Sequence, residues 1–296
     1  MTQPPSVQST KAPSGITTIT INRPHRRNAI DGPTAQKLTS AFLDFEADAS
    51  QRVCVFHGAN GTFCAGLDLH EVANYEPHAQ SQDGPIASLQ DSDNARDKYT
   101  GPIMSPNNRV QDRNTGPIGP SRMIITKPVI AAISGHAVAG GLELSLLADI
   151  RVVEEDATFG VFNRRFGVPL IDGGTVRLQA IIGLGRALDM IITGRPVGAT
   201  EALSMGLANR VVTRGTGVGE AMRIARQIVN FPQACLNVDR ASCYYAAFEA
   251  KSFEDALANE FERGFRVLGE GVNGARRFRD GEGRHGRFED GGKGLL

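Results

Sequence analysis

Residues 127–152 read KPVIAAISGHAVAGGLELSLLADIRV and combine two apolar runs with a glycine-rich turn between them. The run VIAAISG, at 129–135, predicts a buried strand, and DIRVVEE, at 149–155, predicts another. The segment between them, around Gly140 and Gly141, predicts a short helix that begins directly after the turn. Strands separated by helical spans are typical of parallel β-structure with crossover connections, so this stretch indicates an α/β fold.

The flanking sequence extends the same pattern. ITTITINRP, from Ile16, alternates as a strand does and ends at proline, and VCVFHGAN at 53–60 predicts a further buried strand. Asp31 is placed to cap a helix over PTAQKLTSAFLDFEAD. From Gly215 onward the apolar spacing is helical. We therefore expect the following division: a disordered leader at 1–14, an α/β core at 15–212 with a long insert or lid at 72–127, a helical region at 213–269, and a flexible tail at 270–296.

Composition excludes several classes of protein. The 296 residues include 32 basic and 32 acidic side chains, and a formal charge of zero argues against nucleic acid or an anionic membrane as a main partner. The four cysteines form no C-x-x-C pair, which favours reduced thiols. The sequence contains neither a secretory signal nor an apolar run of about 18 residues. These features predict a cytoplasmic protein that does not enter membranes.

Two glycine-containing segments follow predicted strands: TFCAGLDL at 62–69 and GHAVAGGLEL at 135–144. Small residues allow a ligand to approach the backbone closely, and free N–H groups at a helix start favour negative charge. If the two segments face each other, they provide two N–H donors for one oxygen, which is an oxyanion hole. On spacing alone, simple turns explain the same glycines.

Several long motifs together resemble the crotonase (enoyl-CoA hydratase/isomerase) superfamily. They are INRPHRRNAI, GTFCAGLDL, the stretch at 127–152, FGVFNRRFGVPLIDGGTVRL and ITGRPVGATEALSMGLANRVV, and they occur in the family's order. The resemblance implies an α/β fold, a crotonase-like spiral of ββα units with a helical C-terminal trimerisation region. It also implies an acyl-CoA enzyme that needs no cofactor or metal, because the CoA thioester is itself the substrate, and a homotrimer or dimer of trimers.

The same resemblance implies roles for individual residues. The N–H groups of Leu67 and Gly140 match the two oxyanion donors, and Glu143 matches one of the family's two catalytic glutamates, although a carboxylate in the first turn of a helix has a structural explanation too. The remaining matches concern CoA binding and comprise Arg26, Arg27, Ala65, Gly66, Asp68 and, near the C-terminus, Phe278. A solvated charge cluster explains Arg26 and Arg27 equally well.

One position departs from the hydratase pattern. Where hydratases carry a second glutamate, three residues after an F-G pair, this sequence has Asn163, which can orient water but cannot exchange a proton at neutral pH. Asp172 is a candidate substitute acid, since some isomerases of the family place a catalytic aspartate in this loop. An N-cap on the following helix is the structural alternative for Asp172.

Three hypotheses follow. The first is an enoyl-CoA hydratase-like lyase that adds water to 2-enoyl-CoA thioesters, with Glu143 central and an oxyanion-stabilised enolate. The second is an enoyl-CoA isomerase or another crotonase-type enolate chemistry that uses Glu143 or Asp172. The third is an acyl-CoA binding protein with little turnover. The segment 72–127 is expected to cover the acyl pocket in each case.

Overall fold

The computed structural model describes residues 4–73 and 115–282 of the chain. Within these ranges a six-stranded sheet runs in the order β1-β2-β3-β4-β6-β9, and a smaller sheet runs β5-β7-β8. The strands are β1 (Val7–Lys11), β2 (Ile16–Ile21), β3 (Val53–Gly58), β4 (Val129–Ile133), β5 (His136–Val138), β6 (Ile150–Glu154), β7 (Thr158–Gly160), β8 (Val197–Gly198) and β9 (Arg210–Val212).

The large sheet is parallel except at its first strand. β2, β3, β4, β6 and β9 pair in parallel, whereas β1 pairs antiparallel with β2. In the small sheet β5 and β7 are parallel, and β8 is antiparallel to β7. The parallel α/β arrangement that the sequence predicts is therefore confirmed.

Helices surround the sheets. They are α1 (Gly32–Ala47), α2 (Leu69–Ala73), α3 (Gly140–Ser145), α4 (Gly174–Ile182), α5 (Leu184–Thr193), α6 (Ala199–Ser204), α7 (Gly217–Val229), α8 (Gln233–Phe248) and α9 (Phe253–Arg279). Asp31 caps α1 as predicted, because its side chain accepts a 2.9 Å hydrogen bond from the Thr34 N–H. The predicted helical character beyond Gly215 is confirmed by α7, α8 and α9.

The central strands are buried on both faces, which explains their continuous apolar runs. Phe56 of β3 packs edge-to-face against Phe42 of α1 and against Phe63, with ring centroids 5.3 and 5.2 Å apart. Its neighbour Val55 points to the opposite face, where α7 packs with Ile224. The period of two along each strand thus assigns alternate residues to two apolar layers.

Two predicted boundaries are wrong. The disordered leader predicted at 1–14 is wrong for its described part, because Val7–Lys11 forms the edge strand β1; the exposed polar side chains of β1 conceal the alternation that marks a strand. The flexible tail does not begin at 270, since α9 continues to Arg279. Only the two ends of the insert predicted at 72–127 are described: Val72 belongs to α2, and Ile118 is buried in the core, so a lid over the pocket stays a prediction. Residues 1–3, 74–114 and 283–296 lie outside the described residues.

No helix in the described ranges combines the length and the apolar character needed to cross a membrane. The helix α9 is amphipathic and leaves large apolar side chains exposed, among them Phe253, Phe261 and Phe265. The predicted trimerisation of this helical region stays a prediction.

Candidate active site

A cavity of about 440 Å³ lies where the loop after β3 meets the start of α3. Its walls combine backbone, apolar side chains and three buried polar side chains. They are formed by Ala65, Leu67, Leu69, Val72, Ile118, Ala139, Gly140, Glu143, Phe162, Asn163, Phe166, Gly167, Val168, Pro169, Ile171 and Asp172. Every residue that the sequence suggests for catalysis or for the oxyanion hole lines this one cavity.

The two glycine-containing segments face each other as predicted. The Cys64 N–H donates to the His136 carbonyl at 2.8 Å, and the Val138 N–H donates back to the Cys64 carbonyl at 3.1 Å. This parallel bridge draws the first segment against β5. A Cβ atom added to Gly66 would stand 2.9 Å from the Gly140 nitrogen, so only glycine permits the approach. Gly66 also has a φ of +100°.

The bridge leaves two N–H groups without an acceptor among the described residues. The Ile30 N–H donates to the Gly66 carbonyl at 2.7 Å, and the Asp68 N–H donates to the Ile30 carbonyl at 2.8 Å. No described residue accepts a hydrogen bond from the Leu67 N–H, which lies between these two bonds. Gly140 begins α3, where the first N–H groups have no helical acceptor. A Cβ atom added to Gly140 would lie 3.5 Å from the Leu67 nitrogen, so the two N–H groups are close neighbours. Two adjacent free donors at one cavity can bind a single oxygen atom.

Glu143 is buried in α3 and held through one oxygen. Its Oε1 accepts hydrogen bonds from the N–H groups of Asp172 and Gly174, each at 2.9 Å. No described residue donates to Oε2. Burial, reinforced by the nearby Asp172 carboxylate, raises the pKa of Glu143 to about 8. This rise favours the protonated form of the carboxyl group, which can give up its proton from the oxygen that the backbone does not hold.

Asp172 lies beside Glu143 and is equally buried, with 3% of its surface exposed. Its Oδ1 accepts a 2.5 Å hydrogen bond from the Ser121 hydroxyl and a 3.2 Å bond from the Ile118 N–H. Burial raises the pKa of Asp172, and the bond from Ser121 opposes that rise. The N-cap alternative for Asp172 is wrong, because Gly173 is the N-cap of α4 and no side chain caps that helix.

Asn163 stands in a short 3-10 turn, Phe162–Phe166, at the same cavity. Its Nδ2 donates to the Val168 carbonyl at 2.6 Å, while its Oδ1 is buried and has no hydrogen-bond partner within residues 4–73 and 115–282. The position that holds a second glutamate in the family's hydratases thus supplies an acceptor that does not ionise.

The residues suggested for CoA binding are placed unevenly. Ala65 lines the cavity, and Gly66 adjoins it. Arg26 and Arg27 are exposed at the Pro24–Arg26 turn. The Arg27 carbonyl accepts a hydrogen bond from the Ala65 N–H, which connects this turn to the cavity wall. Phe278 is exposed on α9 and does not line the cavity. A CoA contact for Arg26, Arg27 and Phe278 stays a prediction.

Asp68 has partners within the protein, and its predicted CoA contact stays a prediction. Its carboxylate is buried, lies 3.2 Å from the Arg23 guanidinium, and accepts from the His70 N–H at 3.2 Å. Arg23 also pairs with Asp31 at 2.7 Å. These bonds connect the start of α1 and the start of α2 with Asp68, which directly follows Leu67. The ion pairs therefore fix the position of the segment that carries the Leu67 N–H.

Two residues of this arrangement are absent from the sequence-based site. Arg23 stands in the INRP motif, but nothing local shows that its partners are Asp31 and Asp68. Ser121 is 51 positions from Asp172 and has no motif of its own. Within the described residues, no group of three His, Cys, Asp or Glu side chains could hold a metal ion.

The fold and the cavity together define an α/β enzyme with a paired N–H site next to a buried acid. The sequence model of the enoyl-CoA hydratase/isomerase family matches residues 11–96 and 122–268, which is more than half of the chain. The protein belongs to this family, and it is an enzyme of the crotonase superfamily, as the motifs indicate.

Individual relatives agree with this assignment. Carnitinyl-CoA dehydratase of Escherichia coli K12 is 34% identical over 217 residues, which cover 73% of this chain and 71% of that protein. An enoyl-CoA hydratase of Mycobacterium tuberculosis is 33% identical over 217 residues, covering 71% and 70%. A solved enoyl-CoA hydratase from M. tuberculosis H37Rv superposes with a TM-score of 0.77 at 27% identity, covering 94% of this chain and 96% of that one. The crotonase fold is therefore confirmed.

Proposed function

We propose that this enzyme adds water reversibly across the C2=C3 double bond of 2-enoyl-CoA thioesters. The observation that carries the proposal is the position of the buried Glu143, whose pKa is raised by burial, beside the paired N–H groups of Leu67 and Gly140. Those donors would bind the thioester oxygen and stabilise the charge that it gains in an enolate. Relatives named as a hydratase and a dehydratase support the reaction in both directions.

The reaction can be written with the two acids in separate roles. The carboxylate of Asp172 takes a proton from water as the hydroxyl oxygen bonds to C3. The C2=C3 electron pair moves toward the thioester oxygen, which Leu67 and Gly140 hold as an enolate. Glu143 then gives its proton to C2, and proton exchange with solvent restores both carboxyl groups. No cofactor takes part, because the thioester itself supplies the electron sink.

Crotonyl-CoA tests this proposal through the loss of its conjugated absorbance. Glu143→Gln keeps an acceptor oxygen for the Asp172 and Gly174 N–H groups but removes the transferable proton. We expect its turnover to fall by roughly 10² to 10⁴-fold, the range of general acid–base catalysis. Hydration at the wild-type rate by this variant would contradict the proposal.

Isomerisation of a 3-enoyl-CoA to a 2-enoyl-CoA is the second candidate. Asn163 favours it, because an amide replaces the second titratable side chain of hydratases and leaves Glu143 and Asp172 to move a proton from C2 to C4. Incubation with 3-hexenoyl-CoA separates the two reactions: formation of the 2-enoyl product without further hydration would favour the isomerase. The family identifies an enzyme, so the binding-only hypothesis is not retained.

Substrate binding and assembly complete the proposal. Arg26 and Arg27 would contact the CoA phosphates, so changing both to alanine should raise KM more than it lowers kcat. Phe278 would touch the pantetheine from a neighbouring subunit of a homotrimer or dimer of trimers. Sedimentation of the full chain checks the assembly, and a monomer that is fully active would contradict the role of Phe278.

A further inference from the structure

Two arginines make crossed contacts between the turn that precedes β4 and the segment that leads into α4. Arg122 of the turn donates from Nε to the Ile171 carbonyl at 2.8 Å, and its Nη2 donates to the same oxygen. In the opposite direction, Arg177 of α4 donates from Nη1 to the Ser121 carbonyl and from Nη2 to the Met123 carbonyl, the second at 2.9 Å. Each segment therefore holds the other through a guanidinium group on backbone carbonyls.

The carboxyl group of Asp172 lies between these two segments. Its Oδ1 accepts the hydrogen bonds from the Ser121 hydroxyl and the Ile118 N–H. Gly116 permits the close approach, because a Cβ atom added there would stand 2.2 Å from Oδ1 of Asp172 and 3.2 Å from Cγ of Arg122. The stem of Arg122 and the carboxyl group thus adjoin the same small space, so the turn that carries the arginine also surrounds the acid.

The guanidinium contact is made from behind the loop. Ile171 lines the active-site cavity together with Asp172, and it also lines a second cavity of about 330 Å³ whose walls include Arg122 and Arg177. The loop is therefore the wall between the two cavities, and Arg122 does not line the one that contains Glu143. A residue in this place acts on the reaction through the loop and not by touching the substrate.

The positive charge of Arg122 also acts on both acids. Burial raises the pKa of Asp172, and the hydrogen bonds to its Oδ1 and the charge of Arg122 oppose that rise. Burial and the Asp172 carboxylate raise the pKa of Glu143, which its two backbone hydrogen bonds and the charge of Arg122 oppose. From α4, Arg177 interacts electrostatically with Glu143 as a second positive charge. The two buried acids are therefore accompanied by two cations on the far side of the loop.

We propose that Arg122 is a positioning residue of the hydration reaction, which fixes the loop that presents Asp172 through the Ile171 carbonyl and places a balancing cation behind that carboxylate. This inference rests on the proposed function, in which Asp172 takes a proton from water. Arginine suits the role because its planar guanidinium group directs two N–H donors at one oxygen and always keeps its charge. Lysine keeps the charge but not the paired contact, and methionine keeps neither.

The pH profile of crotonyl-CoA hydration tests the inference in Arg122→Met and Arg122→Lys. In the methionine variant we expect kcat to fall about 10²-fold, the cost of a misplaced reacting group, and KM to change less than about threefold. Both limbs of kcat/KM against pH should move to higher pH, because loss of a nearby cation raises the pKa of Asp172, which must be ionised, and of Glu143, which must be protonated. Lysine should return both limbs to the wild-type positions, with kcat between the two.

Arg52→Met is the matched control. The Arg52 guanidinium donates to the Val229 carbonyl at 2.9 Å, so this change also removes a charge and a bond to a distant carbonyl, but Arg52 does not line the cavity. Its kcat and both limbs should equal those of the wild type. Thermal unfolding is recorded for each variant. Where Arg122→Met does not fold, Arg122→Gln takes its place; its amide can donate one hydrogen bond but carries no charge, and the same movement of the limbs is expected.

The outcomes separate this inference from the proposed function. Limbs that stay in place when Arg122 becomes methionine, whether or not kcat falls, overturn the inference, while crotonyl-CoA hydration by the wild type still stands. A rise in KM that matches the fall in kcat, with unmoved limbs, assigns Arg122 a merely structural role and overturns it as well. Failure of the wild type to hydrate crotonyl-CoA at any pH overturns the proposed function and the inference together. Limbs that move with methionine and return with lysine support the inference.

Discussion

Oε1 of Glu143 lies 2.9 Å from the backbone nitrogen of Asp172, so a hydrogen bond joins the two acid-bearing residues of the cavity across 29 positions of sequence. The bond leaves Oε2 of Glu143 for chemistry and fixes the loop that presents Asp172. The acid and the loop beside it therefore form one unit, and each of the following predictions tests a part of that unit or its surroundings.

The stability of the protein should depend on the ionisation of Glu143. Its pKa rises from 4.5 to about 8 on folding, so between these values the native state keeps a proton that the unfolded chain has released. The contribution of Glu143 to the free energy of unfolding is greatest below pH 4.5. It declines as the pH rises to about 8, by up to ~1.4 kcal/mol per pH unit. Glu143→Gln removes the dependence, so its advantage over wild type in urea unfolding should grow from pH 5 to pH 8. An advantage that does not change with pH would contradict this.

Gly66 should be needed for activity because a side chain at this position would collide with Gly140, and not only because its φ is positive. An alanine Cβ there would lie 2.9 Å from both the Ala139 Cβ and the Gly140 nitrogen, which separates the two N–H donors. Gly66→Ala should lower kcat about 10² to 10³-fold. Gly61→Ala is the matched control, because Gly61 also has a positive φ, +70°, but its Cβ would meet nothing within 4 Å. Equal activity losses in the two variants would argue against the oxyanion site.

Gly174 leaves room for the Glu143 carboxyl group. A Cβ at position 174 would stand 2.8 Å from Cγ and 2.9 Å from Oε1 of Glu143, so Gly174→Ala should displace the acid and reduce kcat. Gly185→Ala, in α5, adds a methyl group in open space and should leave kcat unchanged while stabilising the helix by ~0.5–1 kcal/mol. Steady-state kinetics and thermal unfolding distinguish them; full activity of the first variant would show that the acid tolerates movement.

Ser121 should tune the pH dependence of turnover. Its hydroxyl donates to Oδ1 of Asp172 and lowers the pKa of that carboxyl, so Ser121→Ala should raise the pKa further. If Asp172 accepts the proton of water, the acid limb of kcat/KM against pH shifts to higher pH. Ser204→Ala, which removes only an exposed hydroxyl bonded to the Glu201 carbonyl, should leave the profile in place. An unshifted limb in Ser121→Ala would exclude Asp172 as the group that titrates.

Arg23 should stabilise the fold more than an exposed arginine does. Its pairs with Asp31 and Asp68 are largely buried, so Arg23→Met leaves Asp68 as an uncompensated buried charge and should cost ~3–5 kcal/mol of unfolding free energy. Arg214→Met breaks an exposed pair with Asp156 and should change stability little. Urea unfolding compares them, and similar losses in the two variants would refute the positioning role of Arg23.

Features of this protein that depend on local sequence were predictable, whereas features that depend on contacts between distant segments were not. Leu67, Gly140 and Glu143 were predictable through the family resemblance, because they stand in short motifs that directly follow strands. The bond from Ser121 to Asp172 was not, since it depends on how a distant loop packs. The strand β1 was missed because its exposed side chains are polar, and its pairing with β2 decides its conformation. The end of α9 was missed because glycine-rich sequence favours turns locally, whereas the helix continues to Arg279.

Glu143 accepts hydrogen bonds from two backbone N–H groups of one loop, so this loop also responds to the charge of the Glu143 carboxyl group. The amide protons of Asp172 and Gly174 both point at Oε1, so their NMR chemical shifts register whether the carboxyl group is neutral or ionised. A spectroscopist can therefore follow the charge of the buried acid from two backbone signals, in the resting protein and without any substrate.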